Sequence, residues 1–347
     1  MPPWSRRPVA SLCRRSPFAI IILALSCGRL HADEPDFDRD VRPILAEHCV
    51  HCHGVDAATR AAGLRLDLRA AALSGGESGE PAIVPGHPDS SGIIARITST
   101  DPDVVMPPPS EGKPVSDRDR DVLSRWIAAG AAYADHWAFV APVKRPLPGD
   151  DPAAHPIDAF VAARLTAAGL APSPPADPAT LCRRIHLDVV GLPPSPADLA
   201  AFASQGPDAT IDALLASDRY GEKWARHWLD LARYADSNGY EKDMRREMWA
   251  WRDWVIAALN RDLPYDQFVV EQLAGDLLPG ATQEQIVATG FLRNSMLNEE
   301  GAIIAEEFRM VEMFDRMDCV GKAVLGLSTQ CSQCHAHKFD QLTQVDY

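Results

Sequence analysis

The pentapeptide Cys49-Val50-His51-Cys52-His53 has the form CxxCH, and the same form returns as CSQCH at residues 331–335. CxxCH is the attachment sequence for c-type haem. With 8 Cys and 11 His in 347 residues, two chance copies would be unusual. A zinc site would need four ligands, and a thioredoxin-like CxxC needs no following His, so both alternatives leave part of the pattern unexplained.

The spacing within each motif suits covalent haem chemistry. Thiols at Cys49 and Cys52 can reach the two vinyl groups of one porphyrin and become thioethers, and His53 then comes under the iron as an imidazole ligand. The second motif predicts the same roles, two thiols followed by one imidazole, for Cys331, Cys334 and His335. The predicted cofactor is therefore haem c with its iron, in one or two copies.

Composition and charge limit the partners. Hydrophobic residues make up 46% of the chain and charged residues 24%, which is ordinary for globular proteins, and the length predicts about two domains. The net charge is −14. The first 32 residues hold 5 of the 34 basic residues and no acid, which leaves 29 bases against 48 acids in the remainder. Such an acidic chain repels nucleic acid and anionic lipid, so neither is an expected partner. A redox protein with a basic patch is the partner that the charge favours, and an acidic solvated surface without a partner is the default alternative.

The N-terminus has the pattern of an export signal. Four Arg precede a short apolar run at residues 17–26, and small residues then lead to a possible cleavage point after Ala32. The apolar run is too short to span a bilayer comfortably, so we predict a signal peptide at residues 1–32 and no stable membrane span after cleavage. A weaker alternative is a lipoprotein box ending at Cys27. The predicted location is the periplasm or the cell envelope.

The residues around the first motif predict a small helical domain. Apolar residues at helical spacing lead from Asp36 into the motif, where Gly54 is expected to end the helix, and residues 55–100 are rich in turn formers. Met106 precedes three prolines, which favours a loop that presents its thioether as the sixth iron ligand. The competing ligands are His51 and His87, and a core role for Met106 is the structural alternative. Ser116 is a predicted N-cap for a helix over residues 117–129.

These segments together resemble the planctomycete-type cytochrome c domain. The similarity rests on FDRDVRPILAEHCVHCHG, on the GLRLDLRAAALSGGESGEPAIVPGHPDSSGIIARI segment, on VVMPP and on RWIAAGA, and it covers residues 36–135. The resemblance implies that Cys49 and Cys52 carry the thioethers, that His53 is the proximal ligand and that Met106 is the distal ligand.

Residues 136–155 are rich in proline and predict a semi-rigid linker, in which His136 docks on one of the domains. Residues 156–347 then show helical periodicity and almost no alternation of period two, so we predict an all-α protein. The expected helices include residues 220–235, a helix from Trp249 to about Asn260, and one long helix over 303–327 with weak points at Gly321 and Gly326.

The second region is similar to the planctomycete domain of unknown function that commonly follows this cytochrome domain. DRYGEKWARHWLDLARYADSNGYEKD, RNSMLNEEGA and CSQCHAHKFDQLTQVDY carry the resemblance. It implies a further C-terminal domain, so we expect the chain to be a fragment. His337 is too close to His335 in sequence to reach the opposite face of the same ring easily. The candidate distal ligands for the second iron, each also a candidate core residue, are His227, Met296, Met310, Met313 and Met317.

Other features of the second region leave alternatives open. Acidic runs at residues 236–241 and 298–300 suit helix caps and turns better than acid–base or metal chemistry. The tryptophans between residues 224 and 254 fit a core better than an electron relay or a sugar platform. Cys182 and Cys319 could form a disulfide in an oxidising compartment or remain buried thiols.

The sequence favours an exported c-type cytochrome that transfers single electrons. The alternative is a haem-dependent or cytochrome-coupled periplasmic enzyme whose catalytic part is the helical region together with a missing C-terminal part, so the sequence leaves open whether the parent protein is an enzyme. A binding module for polysaccharide is the third possibility and has no specific motif behind it.

Overall fold

The computed structural model describes residues 34–149, 155–301, 303–340 and 342–347, with the backbone alone for Trp137. The predicted signal peptide at residues 1–32 lies outside the described residues, as does part of the predicted linker. Residues Pro35–Tyr347 cluster as one compact unit. The predicted domain boundaries at residues 135 and 156 stay a prediction.

The protein is all-α, as the sequence predicts. The structure is 53% helical, and the described residues contain no strand, only an isolated antiparallel bridge between Ser237 and Arg245. The α-helices of the described residues are α1 (Arg42–His48), α2 (Arg69–Ser74), α3 (Gly92–Ile97), α4 (Asp117–Ala128), α5 (Pro156–Ala167), α6 (Pro178–Val189), α7 (Pro196–Leu215), α8 (Asp218–Leu231), α9 (Trp249–Asn260), α10 (Tyr265–Ala274), α11 (Gln283–Ala288) and α12 (Ala305–Val320). None of them is both long and apolar enough to cross a membrane.

An aromatic cluster forms the centre of the first hydrophobic core. The rings of Phe37, Trp126 and Tyr133 lie within 5.7 Å of one another, centroid to centroid, and the indole of Trp126 donates a hydrogen bond to the carbonyl of Ala132 at 2.9 Å. Phe37 begins a π-helical turn that runs directly into α1. This core therefore fixes the end of α1, from which the first CxxCH motif emerges.

Local sequence signals place α4, which closes this core. The side chain of Ser116 accepts the amide hydrogen of Asp119, as predicted for an N-cap, and the helix buries Leu123, Trp126 and Ile127 on one face. Gly130 follows the helix with a φ of 109°, a conformation that glycine adopts without steric cost.

The second core lies among α8, α9, α10 and α11. Trp251, Trp254, Phe268 and Phe291 are buried there, and the indole of Trp228 donates to the amide oxygen of the buried Gln272 at 2.7 Å. The predicted core role of the tryptophans therefore holds for Trp251 and Trp254. Trp224 and Trp249, by contrast, are 40% and 53% exposed.

The predicted long helix at residues 303–327 is divided at its glycines. α12 ends at Val320, a π-helical turn follows at Gly321–Leu325, and Gly326 has a left-handed φ of 66°. The turn folds the chain back on α12, where the hydroxyl of Thr329 donates to the carbonyl of Met317 at 3.3 Å. A side chain at residue 321 would collide with Thr329, so Gly321 permits this close approach. The reversal places the second CxxCH motif beside the end of α12.

We expect Trp126→Ala to destabilise the protein by about 3–5 kcal/mol, because it opens a large cavity at the contact between α4 and the Phe37 turn. Chemical denaturation followed by circular dichroism measures the free energy of unfolding. Trp249→Ala is the matched control, since that indole is largely exposed, and we expect a change below about 0.5 kcal/mol. Equal losses in the two variants would contradict this assignment of the core.

Candidate haem sites

The first CxxCH motif forms a tight turn immediately after α1. The amide of Cys49 still bonds to the carbonyl of Leu45 at 2.9 Å, which continues the helix by one residue. The carbonyl of Cys49 then accepts two amides, those of Cys52 at 3.2 Å and His53 at 2.8 Å. This turn holds both thiols and the imidazole on one short piece of backbone. The helix therefore ends before Gly54, where the sequence predicts its end.

Later residues hold the turn in place. The amide of Ala61 donates to the carbonyl of Cys52 at 2.7 Å, and the amide of Leu66 donates to the carbonyl of His53 at 2.8 Å. The guanidinium of Arg60 donates to the carbonyls of Gly54 and Val55 at 2.9 and 2.7 Å. Both ends of the motif are therefore tied by hydrogen bonds that do not depend on its thiols or imidazole.

Gly54 is required by space. A Cβ at this position would collide with the carbonyl oxygen and side chain of Val50, because the chain doubles back over the motif. Any other residue would push the turn open, so the glycine directly after CxxCH has a steric role here.

The imidazole of His53 has the properties of a metal ligand. Its Nδ1 is buried and has no hydrogen-bond partner in the described residues. Burial lowers the pKa of His53, a hydrogen bond with the backbone of Ala61 partly opposes this, and the charge of Arg96 adds a smaller lowering effect. A neutral imidazole with an unpartnered nitrogen is the form that binds iron. The residues of the first motif therefore fit haem c.

Met106 is tied to α3 through its backbone. Its amide donates to the carbonyl of Arg96, on α3, at 3.2 Å, and the side chain is half-buried. Arg96 is also the charged residue that acts on the His53 imidazole. Each predicted ligand is thus linked to Arg96, Met106 through its backbone and His53 through the charge of the guanidinium. The competing ligands His51 and His87 are exposed.

The two thiols of the first motif are half-buried and free. Burial raises the pKa of Cys49 to about 12, with a further contribution from Cys52. Before attachment, the Cys49 thiol therefore stays protonated at neutral pH and is a poor nucleophile toward other reagents.

The second motif repeats the turn of the first. The carbonyl of Cys331 accepts the amides of Cys334 and His335, both at 3.4 Å. Its surroundings differ, because Cys331, Cys334 and His335 are all exposed and the His335 Nδ1 pairs with the carbonyl of Ala336 at 2.8 Å. The backbone geometry fits attachment of haem, and the burial seen around His53 has no counterpart here.

The candidate distal ligands of the second iron occupy different places. Met317 lies on α12 where Thr329 packs, close in sequence to Cys331. His227 is exposed and its ring lies 5.5 Å from that of Trp224, while Met296 packs under Gly239. The distal ligand of the second iron stays open.

The two acidic runs meet as loops. The amide of Glu241 donates to the carboxylate of Glu300 at 2.9 Å, Lys242 donates to the carbonyl of Glu299 at 3.2 Å, and the amide of Leu297 donates to Asn238 at 2.9 Å. These contacts agree with the turn-forming role. Within the described ranges no group of three or more His, Cys, Asp or Glu side chains is arranged to hold a metal ion.

Cys182 and Cys319 are separate buried thiols. The Cys182 sulfur lies 3.6 Å from the His186 imidazole, and the Cys319 thiol lies 3.6 Å from the carbonyl of Leu231. The sequence left open a disulfide or two buried thiols. In the structure the two residues are buried thiols and form no disulfide with each other.

Comparison with known families agrees with this architecture. Residues 49–110 match the family model PSCyt1, described as Planctomycete cytochrome C. Residues 156–347, more than half of the chain, match PSCyt2, described as a protein of unknown function (DUF1549). The chain belongs to the PSCyt2 family. No curated protein and no solved structure matches it.

The PSCyt1 match makes the N-terminal part of this PSCyt2 protein a cytochrome c domain, which implies covalently bound haem c with its iron. The order of the two domains expected from the sequence is thereby confirmed. The number of haems and the individual ligands stay predictions.

Sequence reasoning missed the contacts between residues 337–340 and the cytochrome region. Lys338 forms an ion pair with Glu47, and the His136 Nε2 lies 3.0 Å from the Asp340 carboxylate. These partners are separated by 291 and 204 residues. No local sequence pattern predicts these contacts. The sequence did predict that His136 docks the linker on one of the domains, but not that Asp340 is its partner.

We expect thiol alkylation of the haem-free folded chain at pH 8 to label Cys331 at least about a hundredfold faster than Cys49, because burial keeps Cys49 protonated and poorly accessible. Mass spectrometry of peptides after a time course measures each rate. In denaturant, the two thiols react at similar rates, which is the control. Equal rates in the folded chain would contradict the environment described for Cys49.

Proposed function

We propose that the protein is an exported c-type cytochrome that passes single electrons through haem attached at Cys49 and Cys52. His53 is the proximal ligand and Met106 the distal ligand in this proposal. The observation that carries it is the buried, unpartnered nitrogen of His53 within a turn that presents both thiols. Membership of its N-terminal part in the cytochrome family supports the same conclusion.

The chain's own residues have distinct tasks in this function. The bound haem supplies an iron that changes between two oxidation states. Cys49 and Cys52 would hold the haem through their thiols, and burial lowers the pKa of the His53 imidazole, which favours the neutral form that can bind iron. The soft thioether of Met106 favours the ferrous state and so raises the reduction potential.

Two axial side chains explain why an electron carrier is favoured over a catalyst at the first site. If His53 and Met106 both hold the iron, they would leave it no free position for a substrate, and the chemistry that the haem supplies would be electron exchange. Both side chains are half-buried. The first site can therefore exchange electrons at the haem edge without binding a substrate.

The partner in this proposal is a redox protein with a basic patch. The chain carries a net charge of −14, which favours a cationic surface on the partner and disfavours nucleic acid. Export follows from the haem chemistry and from the signal-like N-terminus, because c-type haem is attached outside the cytoplasm. We place the mature protein in the periplasm or the cell envelope.

The exposure of the second motif favours a second candidate function. Cys331, Cys334 and His335 are open to solvent, so a haem held there would keep an accessible sixth position unless a side chain moves to it. An exchangeable position of this kind is what a haem-dependent enzyme needs, with the first site as its electron donor or acceptor. Carbon monoxide binding by the reduced protein distinguishes the two functions at this motif.

We expect Met106→Ala to retain covalent haem while lowering the potential of the first site by on the order of 0.1 V or more and opening its iron to carbon monoxide. Spectroelectrochemical titration and carbon monoxide difference spectra measure both effects. Met244→Ala is the control, since Met244 is 55% exposed and far in sequence from both motifs. An unchanged potential and spectrum in Met106→Ala would exclude Met106 as the ligand.

We expect a pyridine haemochrome assay to give two haems per chain when the protein is made with c-type maturation machinery. Cys49→Ser is expected to remove the first, and Cys331→Ser combined with Cys334→Ser the second, because thioether formation needs the thiols. Cys182→Ser, at a buried thiol outside both motifs, is the control and leaves the count unchanged. A wild-type chain that carries zinc and no haem would overturn the proposed function.

A further inference from the structure

Residues 337–340, which follow the second CxxCH motif, lie against the helix that leads into the first. We call this segment (His337–Asp340) the clamp. Lys338 of the clamp pairs with Glu47, two residues before Cys49. A contact between residues so far apart in sequence brings the two motifs together in the fold.

A buried hydrogen bond anchors the other end of the clamp. His136 is only 3% exposed, and its Nδ1 accepts the amide of Ala138 at 3.3 Å. The proton of this imidazole therefore lies on Nε2, which donates to the Asp340 carboxylate at 3.0 Å. A buried pair of this kind fixes geometry better than an exposed ion pair does.

The clamp holds its own shape through His337. The Nδ1 of this imidazole accepts the amides of Asp340 at 2.7 Å and Phe339 at 3.2 Å. His337 therefore orders the loop that presents Lys338 and Asp340 to the cytochrome region. The amide of His337 in turn donates to the carbonyl of Leu342 at 2.8 Å.

One cavity extends from the first motif to the clamp. It has a volume of about 140 Å³, and its walls include Leu45, Val50 and Val55 on one side and His337 and Phe339 on the other. Val50 lies inside the first motif, and His337 is two residues beyond His335. Since consecutive Cα atoms are at most ~3.8 Å apart, the cavity wall comes within roughly 8 Å of His335 along the chain. The space between the first motif and the clamp is therefore small, and Arg42, Arg65 and Asp67 line it together with the apolar side chains.

We propose that the clamp binds the second CxxCH motif to the cytochrome domain, so that haem groups attached at the two motifs exchange electrons within one chain. This inference rests on the proposed function. If haem is attached at both motifs, each exchange would oxidise one iron and reduce the other by one electron, with no bond formed or broken. A reduced redox protein supplies the electron, and an oxidised one removes it.

The test uses the chain with its covalent haems and follows electron redistribution after rapid addition of less than one electron per chain. Within a chain, redistribution between the two haems occurs at a rate that does not depend on protein concentration. The wild type is expected to show this behaviour. A rate proportional to protein concentration would overturn the inference, because electrons would then pass between molecules.

Charge-reversal variants test the clamp itself. We expect Lys338→Glu combined with Asp340→Ala to slow the concentration-independent phase by at least about tenfold, since it creates repulsion at Glu47 and removes the acceptor of His136. Lys338→Glu alone is expected to slow it less, and adding Glu47→Lys restores the wild-type rate. Arg309→Glu reverses a similarly exposed charge, within the Glu306 pair of α12, and is expected to change nothing.

Hydrogen exchange and haem content distinguish a failure of the proposed function from a failure of this inference. Hydrogen–deuterium exchange of peptides covering 42–48 and 336–347 is expected to rise about fivefold in the clamp variant, while the core of α4 stays protected. Absence of haem from the first motif would refute the proposed function. Haem at the first motif only, or two haems whose exchange is unaffected in the clamp variant, would refute this inference alone.

Discussion

The carbonyl of Cys49 accepts the amides of both Cys52 and His53, and the rest of the cytochrome region depends on this turn. The turn needs a helix that ends at His48, which the aromatic core around Trp126 fixes. It also needs Gly54, because the chain folds back over Val50. Amides from Ala61 and Leu66 then close the loop. Each of these residues supports the presentation of two thiols and one imidazole, which is the whole chemical purpose of the motif.

The same turn appears a second time in different surroundings, and this comparison separates the motif from its environment. Around His53, burial lowers the pKa of the imidazole and leaves a nitrogen without a partner. Around His335, the ring is exposed and pairs with a neighbouring carbonyl. Attachment chemistry depends on the turn, and redox properties depend on burial and on the sixth ligand. The two motifs therefore share the turn and differ in the burial of their imidazoles.

Much of the architecture could be predicted from local signals. The N-cap Ser116 and the helix from Trp249 to Asn260 follow from caps and periodicity, and the structure confirms them. The single helix expected over 303–327 is instead divided at Gly321, which the sequence marked only as a weak point. The exposure of Trp224 and Trp249 was not predictable in this way. A tryptophan at helical spacing fits any buried face, and the packing of neighbouring helices decides which indoles are covered.

The sequence by itself determined that the protein is helical and that it carries two CxxCH motifs, because helix caps, periodicity and motif spacing are local properties of the chain. Only the tertiary structure decided that the Nδ1 of His53 is buried while His335 is exposed, that Cys182 and Cys319 remain apart, and that the clamp reaches the helix before Cys49. Burial and long-range pairing depend on how helices distant in sequence pack together. No window of sequence contains that information, because the partners of Lys338 and Asp340 lie more than 200 residues away.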